Sequence, residues 1–253
     1  MTSAPQPTTR LISDPTPRSG AWQMAVDRWM LEQVVAGSRA MLRWYRWSEP
    51  TVSLGHFQAS LPPAEAERFR GLAVVRRLSG GGAILHHHEL TYAVALPAGH
   101  PWADEPRQLY DRVHAAIVDV LQRHDLPVTP RGEAQPGLGG AFLCFSRGDS
   151  FDLVWQGHKV LGSAQRRRKG AVLQHGSLLL TKSPHAPEFP GLTDLAPSPP
   201  NLAQLARDLE TTLTKLFAAD ATNPEPLQPE ELTAVQVLLA DSTGAAEAAN
   251  DGG

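Results

Sequence analysis

Apolar residues recur at every fourth position through Trp22, Val26, Met30 and Val34, the spacing that lays one stripe along an α-helix. Ser19 supplies a cap and Gly37 a stop, so the pattern predicts a helix ending near Ala36. The same step returns at Leu109, Val113, Ile117 and Leu121, predicting a helix over 106–124, and a further packed helix is predicted over 201–217. Between them the period changes. LRWYRWSEPTVSLGHFQ (42–58) is rich in β-branched and aromatic residues and breaks at Pro50, which predicts two short strands around a turn. Pro62-Pro63 opens a short helix that Gly71 closes. LAVVRRLSGGGAILHHHELTYAVALP (72–97) divides into three strand segments punctuated by Gly80, Gly81 and Gly82. In 151–180, Phe151, Leu153 and Trp155 alternate, Gln156-Gly157 turns, and Arg166 to Gly170 forms a charged corner before AVLQHGSLLL. Strands therefore dominate the middle of the chain, and no internal repeat is visible.

Prolines cluster at 4–17 and 184–229. Residues 1–18 are expected to be a flexible segment, 19–220 the folded domain, and 221–253 mostly disordered apart from a helix at 229–240. With 253 residues and 42% hydrophobic positions a sizeable core needs no staples. Lys+Arg 23 against Asp+Glu 26 excludes a globally basic nucleic-acid binder, so any basic site is local. Cys144 is the only cysteine; it can form neither an internal disulfide nor, by itself, a thiolate zinc site, which fits a reduced setting. The N-terminal stretch has no apolar core of a signal peptide, and no run reaches the ~18 apolar residues of a membrane span. The expectation is a soluble, cytoplasmic protein with neither nucleic acid nor membrane as partner.

Four segments could carry chemistry. RRLSGGGAILHH (76–87) sets three glycines after a strand, where the backbone can pass close to a ligand and Arg76 and Arg77 can balance an anion. It contains neither G-x-G-x-x-G nor GK[ST], and read plainly it is a hairpin or bulge. Cys144, in GGAFLCFSRGD, is either a small buried hydrophobe or, given a cationic neighbour, a nucleophile. Lys159, after the Gln156-Gly157 turn, is either solvated or that neighbour. Of His86, His87 and His88, only His86 and His88 would share a strand face, so no metal site is expected. His175 shares a face with Leu173 and Ser177, as a core histidine would. Arg166, Arg167, Arg168 and Lys169 read as a solvated corner that could also meet an acidic carrier.

Taken in order, GAWQMAVDRWML (20–31), LRWYRWSEPTVSLGHFQ (42–58), RRLSGGGAILH (76–86) and HKVLGSAQRRRKGAVLQHGSLLL (158–180) resemble the lipoate-protein ligase and octanoyltransferase family, whose catalytic domain is related to biotin protein ligase. HELTY (88–92) and the position of Cys144 resemble the cysteine-dependent octanoyl-[acyl carrier protein]:protein N-octanoyltransferase branch, whereas GGGAIL is closer to the ligase form. The resemblance implies an α+β fold, a central mixed or antiparallel sheet flanked by helices. It implies an acyltransferase that moves octanoyl or lipoyl from acyl carrier protein through an acyl-cysteine on Cys144 to a lysine of a lipoyl-domain protein, such as glycine cleavage H protein or a 2-oxoacid dehydrogenase E2. Lys159 would assist. Acyl and substrate binding would fall to Arg76, Arg77, Ser79, Gly80, Gly81, Gly82, His86, Gly162, Ser163, Ala164, Gln174, His175 and Gly176, with Arg166 to Lys169 docking the carrier. No cofactor would be required; ATP and Mg enter only for the alternative of an ATP-dependent lipoate-protein ligase. Two further alternatives are an amidotransferase acting between carrier domains and a non-catalytic acyl or carrier-protein binding module.

Overall fold

ELTYAVAL (89–96) is buried at every position, so this strand has cover on both faces, and its alternation assigns a layer to each. The computed structural model describes residues 9–133, 142–143, 148–218 and 224–250. In chain order these form β1 (Arg10–Ile12), α1 (Gly20–Val35), β2 (Met41–Tyr45), β3 (Thr51–Leu54), α2 (Pro63–Arg68), β4 (Ala73–Arg76), β5 (Ile84–His86) and β6 (Glu89–Leu96). Then follow α3 (Pro101–Asp104), α4 (Pro106–Arg123), β7 (Thr129–Pro130), β8 (Leu153–Trp155), β9 (His158–Arg168), β10 (Ala171–Leu179), α5 (Leu192–Leu195), α6 (Leu202–Leu216) and α7 (Pro229–Asn250).

Among the described residues the main sheet runs β1-β2-β6-β10-β9-β8-β7, with β1 parallel to β2 and the other pairs antiparallel. Leu90, Tyr92, Val94 and Leu96 pack with Leu109, Val113, Ile117 and Leu121 of α4 and with Leu205, Leu209 and Leu213 of α6. On the other face Ala93 and Ala95 meet Val26, Trp29, Met30 and Val34 of α1 and Val235 and Leu238 of α7. Alanine at two successive inward positions lets helices lie close to the sheet. This is the expected α+β sheet flanked by helices, and it is mixed. A smaller sheet, β4-β3-β5, stands beside it over its own cluster of Val52, Leu54, Phe69, Ala83 and Leu85.

Two tight hairpins set the register of the central strands. Gln156-Gly157 (φ 50° and 81°) joins β8 to β9, and Lys169-Gly170 (φ 49° and 81°) joins β9 to β10; both central residues in the left-handed region is the signature of a turn whose twist matches the strands. The first is the predicted turn. The second corrects the charged corner, because Arg166, Arg167 and Arg168 are strand residues and only Lys169 and Gly170 turn. The pairing lines up Tyr45, Thr91, Ser177 and Gly162 across β2, β6, β10 and β9, with Arg43, Ala93, His175 and Ala164 in the next row. These two rows form the ground on which the site is built.

Both ends are more structured than the composition suggests. Residues 10–12, expected to be flexible, add a buried strand to the sheet. Arg10 donates to Glu231 Oε1 at 2.6 Å and to the Pro226 carbonyl at 3.0 Å, tying that strand to the start of α7. The helix expected at 229–240 continues to Asn250. These partners are more than two hundred residues apart in sequence, so no local pattern announces them.

Candidate active site

Lys159, near the start of β9, is buried, and its Nζ lies 2.8 Å from Asp152 Oδ1. The β8–β9 hairpin makes the pairing possible, since its register carries the residue before Leu153 back toward the lysine strand. Gly162 supplies the room: a Cβ there would sit 2.5 Å from Lys159 Cε and 2.8 Å from Nζ. Burial raises the Asp152 carboxyl above its usual range, opposed by the Lys159 ammonium, by the Asp149 amide at 2.7 Å and by Arg131 at 3.8 Å. A cation held this way beside a cavity can stabilise a thiolate or a developing acyl oxygen, or exchange a proton.

That cavity has a volume of about 280 Å³ and a mainly apolar lining. It is lined by Lys159, Asp152, Gly162, Ser163 and Ala164 from β9 and the segment before β8, by Gly80, Gly81 and Ile84 from the glycine loop and β5, and by Tyr45, Thr91, His175 and Ser177 from the aligned rows. The glycine loop is held down by Arg77, whose guanidinium donates to the carbonyls of Ser53, Gly80 and Gly82 at 2.9, 2.8 and 2.6 Å. Gly55 is required beneath it, because a Cβ there would lie 2.0 Å from the Gly81 carbonyl oxygen.

Three buried hydrogen-bond systems brace the walls. Asp27 of α1 accepts from Arg43 at 2.5 Å and from His175 Nδ1 at 2.8 Å, and His175 Nε2 is 2.5 Å from Ser79 Oγ. Burial works against the Asp27 carboxylate, but Arg43 and His175 outweigh it and hold its pKa below the ordinary value. Glu89 accepts from His86 Nδ1 and Thr91 Oγ1, both at 2.7 Å, while His86 Nε2 is 2.7 Å from Ser53 Oγ and its ring stacks on Trp47 at 3.8 Å. On the opposite face of the sheet, Gln165 donates to Gln174 at 2.7 Å, Gln174 to the Tyr92 hydroxyl at 2.8 Å, and Tyr92 meets Ser163 Oγ at 2.8 Å. Gly176 keeps space for that last contact, since a Cβ there would be 2.2 Å from Ser163 Oγ.

Residues 19–186 match the family model of the lipoyl protein ligase A/B catalytic domain. The chain belongs to this family. Curated relatives in the lipoyl ligase family include the octanoyltransferase LipM of Moorella thermoacetica, 39% identical over 168 residues (62% of this chain, 60% of that protein). The LipM of Lysinibacillus sphaericus is 35% identical over 174 residues (64% of this chain, 62% of that protein). The chain thus spans about three fifths of the length of the curated relatives it matches. Among solved structures, lipoate-protein ligase A bound with ATP aligns with a TM-score of 0.70 at 20% identity, covering 92% of this chain and 94% of that one. The bi-partite lipoate protein ligase of Thermoplasma acidophilum, determined with its E2 lipoyl domain, aligns at 0.67 and 20%, covering 92% of each. These likenesses establish the lipoate-protein ligase fold.

Within this family member, the cavity brings together Arg77, Gly80, Gly81, His86, Lys159, Gly162, Ser163, Ala164, His175 and Gly176 of the residues read from sequence. Others stand elsewhere. The Arg76 guanidinium binds the carbonyls of Gly55, Gln58 and Ala59, which makes it a clamp on the 55–59 loop. Ser79 and Gln174 act from behind the wall through His175 and Tyr92, and the Gly82 carbonyl is taken by Arg77. Arg167, Arg168 and Lys169 are exposed and Arg166 half-buried at the far end of β9, with Arg168 4.0 Å from Glu32. His86 has both ring nitrogens engaged, and His87 and His88 follow β5 and stack on each other at 3.6 Å, so strand alternation does not govern them. Among the described residues no group of three or more His, Cys, Asp or Glu is placed to hold a metal. Cys144 lies outside the described residues; Leu143, which precedes it, pairs with Ala83 directly after the glycine loop.

Sequence reasoning missed Asp152, Asp27, Tyr45, Thr91 and Tyr110. Asp152 had a usable signal, because once the two-residue turn at 156–157 is accepted the hairpin register carries it back toward Lys159. Asp27 had a weaker one, an acid among Met24, Ala25, Val26, Trp29 and Met30 in a helix. A carboxylate in an apolar stripe calls for a partner, yet only the fold says which.

Proposed function

We propose that this chain is an octanoyltransferase that takes an octanoyl group from a thioester on acyl carrier protein and delivers it to a lysine of a lipoyl-domain protein. The observation that carries the reading is Lys159, buried, ion-paired to Asp152 and facing a mainly apolar cavity under a glycine loop; the LipM relatives support it. Cys144 attacks the thioester carbonyl, the new C–S bond forms as the pantetheine thiolate leaves, and that thiolate takes up a proton. The acceptor amine then attacks the acyl-cysteine: the amide C–N bond forms as the C–S bond to Cys144 breaks, and the proton that the amine sheds passes to the departing Cys144 thiolate, which the Lys159 ammonium stabilises. Backbone amides of Gly80 to Gly82 or of Gly162 and Ser163 hold the carbonyl oxygen as charge develops. An eight-carbon tail in the cavity contributes about 5 kcal/mol at ~0.8 kcal/mol per buried CH₂, before ordering costs. Arg167, Arg168 and Lys169 offer positive charge for an acidic carrier. No cofactor enters these steps, and ATP with Mg is needed only by the ligase alternative.

Intact mass spectrometry tests the reading without an acceptor. The protein is mixed with octanoyl-acyl carrier protein and, separately, with octanoate and ATP. A hydroxylamine-labile octanoyl adduct on Cys144 from the carrier, absent in Cys144→Ala, is the expected result. An acyl-adenylate formed with ATP and no adduct from the carrier overturns it in favour of a ligase. Binding of the carrier with neither product points to a non-catalytic module, and an adduct formed only from an octanoylated lipoyl domain points to an amidotransferase.

A further inference from the structure

His114 of α4 is 3% exposed and bound at both ring nitrogens, Nδ1 at 2.6 Å from the Phe151 carbonyl and Nε2 at 2.7 Å from Ser163 Oγ. The two groups it holds are chain neighbours of the two that confine Lys159, since Phe151 precedes Asp152 and Ser163 follows Gly162. Tyr110, one turn earlier on α4, stacks on the Phe151 ring at 4.8 Å and 15°. One helix is therefore fastened both to the segment that carries Asp152 and to the strand that carries Lys159 and Gly162.

We propose that His114 is a positioning residue for Lys159: by bracketing Phe151 and Ser163 it sets the distance between the Asp152 carboxylate and β9, and with it the place of the lysine Nζ. This rests on the reading of Lys159 given above. The bonds have one consistent direction. A carbonyl only accepts, so Nδ1 carries the proton and Nε2 of the neutral ring accepts from the Ser163 hydroxyl. Ser163 then accepts from Tyr92, which accepts from Gln174. A protonated ring would turn Nε2 into a donor and break this order. Burial and the nearby Lys159 ammonium push the His114 pKa down to about 4, which keeps the ring neutral near pH 7. The groups facing Lys159 are Asp152, with Asp149 and Arg131 beyond it, and His114.

The test compares His114→Phe, His114→Asn and Ser163→Ala in steady-state octanoyl transfer at neutral pH, with Lys159→Ala as reference. His114→Phe is expected to lower kcat by about tenfold or more while the donor KM moves by less than about threefold. His114→Asn, whose amide can still donate to Phe151, recovers part of kcat, and Ser163→Ala, which removes the other end of the bracket without emptying a ring-sized site, lowers kcat with the same small change in donor KM. Unchanged kcat in His114→Phe and Ser163→Ala, or losses carried by the donor KM with no recovery in His114→Asn, overturn the positioning role. Should Lys159→Ala keep its activity, the reading of Lys159 fails instead. If Lys159→Ala is inactive and both bracket variants behave as the parent, only the role of His114 falls.

Discussion

At the scale of single residues, the site depends on side chains that are absent as much as on those present. The Lys159 stem crosses the position where a Cβ at Gly162 would stand, 2.5 Å from Cε. The end of a lysine is flexible, so Gly162→Ala should fold with stability within about 1 kcal/mol of the parent. The ammonium, however, would be pushed off Asp152, and transfer is expected to drop by tenfold or more; urea denaturation beside an octanoyl-transfer assay separates the two effects. His114 gives a pH prediction. Its pKa is about 4 in the folded chain against an ordinary value of 6.5. Above 6.5 neither state is protonated and its contribution is complete. As pH falls toward 4 the unfolded chain binds a proton that the folded one refuses, so stability drops, by on the order of 3 kcal/mol. Urea midpoints at pH 7 and pH 5 should differ less in His114→Phe than in the parent, and equal pH dependence in the two would refute this assignment.

At the scale of elements, the strongest local patterns became the elements they predicted. Ser19 caps α1, accepting from the Trp22 amide at 3.4 Å, and the four-residue step of Leu109 to Leu121 became the buried face of α4. Gln156-Gly157 is the turn its residues suggest, because glycine at a positive φ is a local property. Arg166 to Arg168 went the other way. Their charge reads as a corner, but pairing with Ala171, Val172 and Leu173 holds them in a strand. Of the two terminal elements, the start of α7 was expected from sequence and β1 was illegible. β1 is three residues long, too short to show a period. Arg10, buried against Trp29 and bonded to Glu231 and Pro226, joins the two. Arg10→Ala is therefore expected to speed amide exchange in both Thr9–Ile12 and the first turns of α7, read by hydrogen–deuterium exchange mass spectrometry; protection unchanged in α7 would show that the two are not coupled.

For the whole molecule, the sheet divides the labour. Its α4 and α6 face is an apolar core with one polar seam, from Gln165 through Gln174, Tyr92 and Ser163 to His114. Its other face carries the rows that end in the cavity, with Asp27 and Glu89 fixing the two histidines. Periodicity and turn chemistry are short-range properties, so the chain alone announces α1, α4, α6 and the Gln156-Gly157 turn, and the order of its glycine and lysine segments carries the resemblance that implies the α+β class. The meeting of Lys159 with Asp152, the hold of Arg77 on the glycine loop while Arg76 clamps its neighbour, and the bonds from His114 on a distant helix to Phe151 and Ser163 arise from packing alone. A buried charge or hydrogen bond is satisfied by whichever partner the packed chain brings within 3 Å, and that choice belongs to strand register and helix placement, which local sequence does not encode.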